Sequence, residues 1–224
     1  MAVRPYTGKS DVRGKPANKK QALETMVQYL CYYFNMKKAG TVDSQSSLTS
    51  VHASGRAFDI KCLDGNTGQW AGKNFEERNW NLINFLYLNR DYLGVEEIHD
   101  YVGLYVLATM VAYDGSGRGH ASRYGAGYRC NRDTTAEYAA PPGWMRWTLE
   151  AHKSHGGDSV GLKHIHVEMS PASVANEKKL VSKLLPVLTY YMRYQYQTIS
   201  ISGLGVNSYC VNTKGFPVTK VPNK

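Results

Sequence analysis

Two short segments of this chain place metal-binding residue types at spacings that can do chemistry. The first runs Ser50-Val-His52-Ala-Ser-Gly55-Arg56-Ala57-Phe58-Asp59-Ile60, with His52 seven residues before Asp59 and a glycine between them. Gly55 permits a sharp turn, and such a turn can bring the His52 imidazole back towards Asp59. There Asp59 would point from one face of a strand while Phe58 and Ile60 fill the core behind it. A nitrogen and a carboxylate so placed are a standard part of a catalytic zinc sphere. The second segment is His164-Ile165-His166-Val167-Glu168-Met169. On a strand, residues two apart share a face, so His164, His166 and Glu168 project one way and Ile165, Val167 and Met169 the other. One of the two imidazoles can then ligate a metal while the other reaches an attacking water or a developing oxyanion. Three protein ligands with the fourth position open is the catalytic rather than the structural pattern.

Taken singly, these residues carry less. A strand histidine is usually a hydrogen-bonded structural residue, and His99 and His120 keep that reading. Glu168 alone reads as a solvated strand charge. It is the combination of His-x6-Asp with His-x-His, both on strands and both close to turns, that points to a site.

At these positions the chain resembles a group of zinc peptidases of bacterial cell walls. The group includes D-alanyl-D-alanine carboxypeptidases, L-alanyl-D-glutamate endopeptidases of phage lysins, lysostaphin-type enzymes and penicillin-insensitive murein endopeptidase. The pattern S-x-H-x-x-G-x-A-x-D is complete here as Ser50, His52, Gly55, Ala57 and Asp59, and an H-x-H strand follows. The resemblance covers roughly residues 20–170. It implies that His52, Asp59 and His166 are zinc ligands and that the activity is hydrolysis of peptidoglycan peptides. The carboxypeptidase-like branch carries an acidic residue three positions before the last ligand, where this chain has Lys163. The murein-endopeptidase and lysostaphin branches use the first histidine of H-x-H, so proton handling falls to His164. His155 and Asp158 are the runners-up. Arg56, whose planar fork suits a carboxylate, is the candidate substrate-binding residue beside its plainer reading as a solvated turn arginine.

Several elements must position these residues. Leu23, Met26, Val27, Leu30 and Phe34 recur at helical spacing and predict a helix from Lys20 to Lys38, stopped by Gly40. Ala57 to Leu63 has strand character, a second helix is expected from Phe75 to Leu93 before Gly94, and VEEIHDY is a short strand. LYVLATMVAY reads as strand or buried helix. Residues 114–143, rich in Gly, Arg and Tyr, predict a long surface excursion. Trp144 to Lys153 is expected to be helical and LKHIHVEMS a strand. Ser170-Pro171 then opens a helix bent by Pro186. Strands and helices mix without a βαβ rhythm, which makes the fold class α+β. The expected form is a small antiparallel sheet carrying the zinc site, flanked by helices, in a single domain with a C-terminal extension. The expected boundaries are an extended basic arm over 1–19, the peptidase domain over 20–194 and the extension over 195–224.

Composition narrows the partners. In 224 residues, 27 Lys and Arg oppose 18 Asp and Glu, for a net charge of +9. That excess suits polyanions, including the carboxylate- and phosphate-rich bacterial wall. No recognition helix, RNP or zinc-finger pattern supports nucleic acid, and no apolar run reaches the ~18 residues that span a bilayer. Four dispersed cysteines without a Cys-x-x-Cys pair read as free, buried thiols. The N-terminus lacks the apolar core of a secretory signal. The resemblance to phage lysins implies a phage-encoded enzyme acting on the wall, released from the host cytoplasm or carried in the virion. The tyrosine-rich loop and the C-terminal extension suit contacts with other phage proteins. The competing reading is a non-catalytic phage structural or wall-binding component on the same fold.

Overall fold

The computed structural model describes residues 3–10, 20–40, 50–61, 75–100, 126–132, 142–146, 164–195, 198–199 and 209–210. Helix α1 (Gln21–Phe34) forms on the expected periodicity, with Leu23, Met26, Val27, Leu30 and Phe34 all buried. It ends four residues earlier than the spacing predicts. Asn35 takes a left-handed conformation at φ 50° and caps the helix, its N–H turned to the carbonyls of Cys31 and Tyr32. Asparagine tolerates that conformation better than most residues. The chain then reverses into strand β1 (Lys37–Gly40), whose first two residues the helical spacing assigns to the helix.

Five more strands complete one sheet: β2 (Ala57–Lys61), β3 (Val95–Asp100), β4 (Ala126–Arg129), β5 (Trp144–Arg146) and β6 (Ile165–Met169). Their order is β1-β2-β6-β3-β4-β5, and every neighbouring pair is antiparallel. Among the described residues the helices are α1, α2 (Phe75–Leu88), α3 (Arg90–Leu93), α4 (Pro171–Val174) and α5 (Glu177–Tyr190), the last followed by a π-helical turn over Tyr191–Gln195. The molecule is thus α+β, an antiparallel six-stranded sheet packed against helices. Ser170 caps α4 and Asn176 caps α5, each side chain accepting an N–H three residues on. Pro186 lies inside α5. A two-stranded pair, β7 (Thr198–Ile199) with β8 (Tyr209–Cys210), follows.

Two expectations are corrected. Residues 144–146 are an edge strand, not the start of a helix, and buried Trp144 lies 5.8 Å from the Tyr87 ring. Within the expected surface excursion, residues 126–129 form β4, where Tyr128 is buried against Tyr87 at 5.4 Å. A four-residue strand held by pairing with β3 and β5 and by the packing of Tyr128 against Tyr87 and Trp144 leaves no period long enough to recognise. The LYVLATMVAY segment lies outside the described residues. Cys31 and Cys130 are free thiols, half-buried and buried; among the described residues no helix is long and apolar enough to cross a membrane.

The sheet has an apolar and a polar face, and alternation decides which is which. Phe58 and Ile60 on β2, Ile98 on β3, and Ile165, Val167 and Met169 on β6 are all fully buried in the core. Each such side chain contributes roughly 1.5–3 kcal/mol by leaving water. A one-residue slip of β2 or β6 would turn these residues outward and drive the histidines and Asp59 inward. The apolar face therefore holds the polar one in register.

Candidate metal centre

His52 is seated by a single turn of 3₁₀ helix, Val51–Ser54. Ser50 opens the turn, its Oγ accepting the His52 N–H at 3.3 Å. Gly55 closes it at φ 69°, donating to the His52 carbonyl at 3.0 Å. Only then does β2 begin, and Asp59 is its third residue. Asp59 pairs in register with His166 of β6, so the turn and two neighbouring strands deliver three side chains to one point.

The distances there are short. The Asp59 carboxylate has Oδ1 2.9 Å from Nδ1 of His166 and Oδ2 3.5 Å from Nε2 of His52. The two imidazole rings are 5.0 Å apart between centres. One ligand atom from each of the three residues lies within 4.8 Å of the others, so the group could hold a metal ion. Ligands at zinc's usual ~2.0–2.1 Å, placed tetrahedrally, would be ~3.3 Å apart. The two imidazole–carboxylate separations, 2.9 Å to one Asp59 oxygen and 3.5 Å to the other, lie on either side of that value, and two nitrogens with a carboxylate oxygen suit zinc. All three side chains remain partly exposed, at 16% for each histidine and 21% for Asp59, so the group is open to solvent.

His164 stands at the edge of this group, with Nε2 3.8 Å from Oδ1 of Asp59. It is not one of the three residues whose ligand atoms converge. Burial lowers its pKa, with the Asp59 charge opposing and the neighbouring histidines assisting. His166 goes the other way. Burial alone would lower it, but its bonds to Asp59 and Glu168 outweigh that and push it up to about 10. For Asp59, burial alone would raise the pKa, yet the bonds to His166 and His52 hold it well below the ordinary carboxylate range.

Behind His166 the structure adds residues that the sequence reading left aside. Glu168 is no solvated charge: it is buried, with Oε1 3.4 Å from Nε2 of His166. Its partner across the strands is Glu97 of β3, also buried and held by Arg129 through contacts of 3.0 and 3.0 Å. Burial, then repulsion from Glu168, raises the Glu97 pKa. Burial would also raise Glu168, but its bond to His166 lowers it overall. The Tyr6 hydroxyl lies between the two carboxylates, 2.8 Å from Glu97 and 2.7 Å from Glu168. His99 pairs in register with His166 and is buried. The alternation of Glu97 and His99 about core-facing Ile98 was the available signal, but it gains meaning only once β3 is known to neighbour β6.

Arg56 is buried, which sets aside its plainer reading as a solvated turn arginine; its guanidinium donates to the carbonyls of Met169 at 2.6 Å and Gly8 and meets Glu96 at 3.4 Å. Its position at the first residue after the Gly55 turn makes it an anchor for β2. His155, Asp158, Lys163 and His120 lie outside the described residues. Comparison with protein-family models, curated proteins and solved structures gives no match for this chain.

Proposed function

We propose that this protein is a zinc-dependent peptidase that hydrolyses peptide bonds of bacterial peptidoglycan. The observation that carries the reading is the convergence of His52, Asp59 and His166, with His164 beside them and partly exposed. The pattern from Ser50 to Asp59, the feature shared with the wall peptidases, supports peptidoglycan as the substrate. The net charge of +9 suits that polyanionic wall. A phage-encoded lysin is the setting that fits both.

Zinc bound by His52, Asp59 and His166 would polarise the scissile carbonyl and make water nucleophilic near neutral pH. The chain's own residues supply the remainder. Asp59 and His166 hold each other in place, so the ligand geometry exists before binding. His164, its pKa lowered, is neutral at pH 7 and can accept a proton at Nε2, the nitrogen turned towards Asp59. It takes that proton from the attacking water and returns it to the leaving amine. The test is metal content together with digestion of purified peptidoglycan followed by mass spectrometry. The expected result is one zinc per chain and new amino termini, both abolished in His166→Ala. His164→Ala should keep zinc while turnover falls ~10²–10⁴-fold. Metal without cleavage of any peptidoglycan would leave a metal-binding wall or virion component, and absence of stoichiometric metal would refute the proposal.

A further inference from the structure

We infer that the N-terminal segment is a working part of the metal centre, with Tyr6 as a positioning residue that acts through Glu168 on His166. The inference rests on the metal-site reading above and extends it to residues outside the ligand set. His166 offers Nδ1 to the ligand cluster, where it faces Asp59 at 2.9 Å. Its other nitrogen, Nε2, faces Oε1 of Glu168 at 3.4 Å. A carboxylate on the far nitrogen of a ligating histidine fixes both the ring's orientation and its tautomer, leaving the near nitrogen free to ligate. Glu168 can do this only if its own carboxylate is held still. The Tyr6 hydroxyl, 2.7 Å from the other oxygen of Glu168, holds it.

The rest of the segment is arranged to hold Tyr6. Arg4 donates its backbone N–H to the Cys130 carbonyl at 3.1 Å and its side chain to the Val95 carbonyl at 2.6 Å. It also pairs with Asp91 at 2.8 Å. Thr7 donates to Glu96 at 2.8 Å, and the Gly8 carbonyl accepts from Arg56. The guanidinium of Arg129 covers the Tyr6 ring, 4.4 Å from its centre. Gly8 turns at φ 50°, and a Cβ there would come within 2.7 Å of the Tyr6 ring. Residues 4–8 therefore lie as a strap along β3, with anchors on both sides of the tyrosine. The hydroxyl is delivered to the Glu97–Glu168 pair and not left to solvent.

The experiment measures zinc dissociation constants by competition with a chelator for the wild type, Tyr6→Phe, Glu168→Gln and the double variant. Melting temperatures of the metal-free proteins and the visible spectra of their Co²⁺ forms accompany them. Tyr6→Phe keeps the ring under Arg129 and removes only the hydroxyl. Loss of a partner behind a metal ligand typically weakens metal binding ~10–100-fold, and that loss is expected for Glu168→Gln. Tyr6→Phe should give part of it, at least ~3-fold, with a shifted Co²⁺ spectrum. Because Tyr6 acts through Glu168, the double variant should bind no more weakly than Glu168→Gln alone. Wild-type affinity and spectrum in Tyr6→Phe would overturn the inference. So would additive losses in the double variant, which would show that Tyr6 acts through general stability. A wild-type protein that binds no zinc would instead refute the metal site itself.

Discussion

Zinc binding should tighten about tenfold for each pH unit between about pH 6 and 8, because His166 must release a proton before Nδ1 can hold metal. In the metal-free protein this imidazole lies between two carboxylates, 2.9 Å from Asp59 and 3.4 Å from Glu168. They push its pKa up to about 10. At pH 7 the metal therefore competes with a proton held roughly 3 pH units too tightly, so the apparent affinity lies ~10³-fold below its high-pH limit. Chelator competition across this range measures the slope. Calorimetry of zinc binding to the wild type in buffers of different ionisation enthalpy counts the proton released, with about one expected at pH 7. A flat affinity with no proton released would refute both the assignment of His166 as a ligand and its charged state in the free protein. The same groups set the stability of the metal-free fold. His166, raised, stabilises fully below the ordinary imidazole pKa of about 6.5, and its contribution is lost as pH rises through about 10. Asp59, lowered, stabilises above the ordinary carboxylate range and loses its contribution as pH falls below it.

Two further predictions separate structural roles from chemical ones. Arg56→Met should destabilise the fold by ~3–5 kcal/mol in urea unfolding, since it leaves buried Glu96 without its cation; an unchanged midpoint with a raised KM would mark Arg56 as a substrate residue instead. Gly94→Ala should lose at least ~1–2 kcal/mol from the left-handed conformation alone, because φ there is 78° and a Cβ would meet Oγ of Ser173 at 1.9 Å; a midpoint within error of the wild type would contradict this.

What was legible in the sequence was parity within a strand. Phe58 and Ile60 about Asp59, and Ile165, Val167 and Met169 about His166, told which residues face the core and which face the site, and the structure has them so. The glycine between His52 and Asp59 told where the chain turns. Neighbourhood between strands was not legible. β3 and β6 join residues about seventy positions apart, so the sequence could not set Glu97 opposite Glu168 or His99 opposite His166. The boundaries that failed, at Asn35 and Trp144, depended on a single cap and on aromatic packing instead of on a long period.

The same gap hid the role of the N-terminal segment, which by composition is an extended basic arm. Two buried carboxylates facing each other across a strand pair are strongly unfavourable unless cations and donors satisfy them, with a penalty of several kcal/mol per ion. Arg129 answers for Glu97, and His166 for one oxygen of Glu168. The second oxygen of Glu168 is met by Tyr6, whose single hydroxyl also reaches Glu97. Without the strap, that oxygen would have to draw water into the back of the site or swing away from His166. Either movement would release the ring that Asp59 needs in place at 2.9 Å. A segment whose sequence carries no chemistry of its own thus controls the rigidity of the histidine most central to the site.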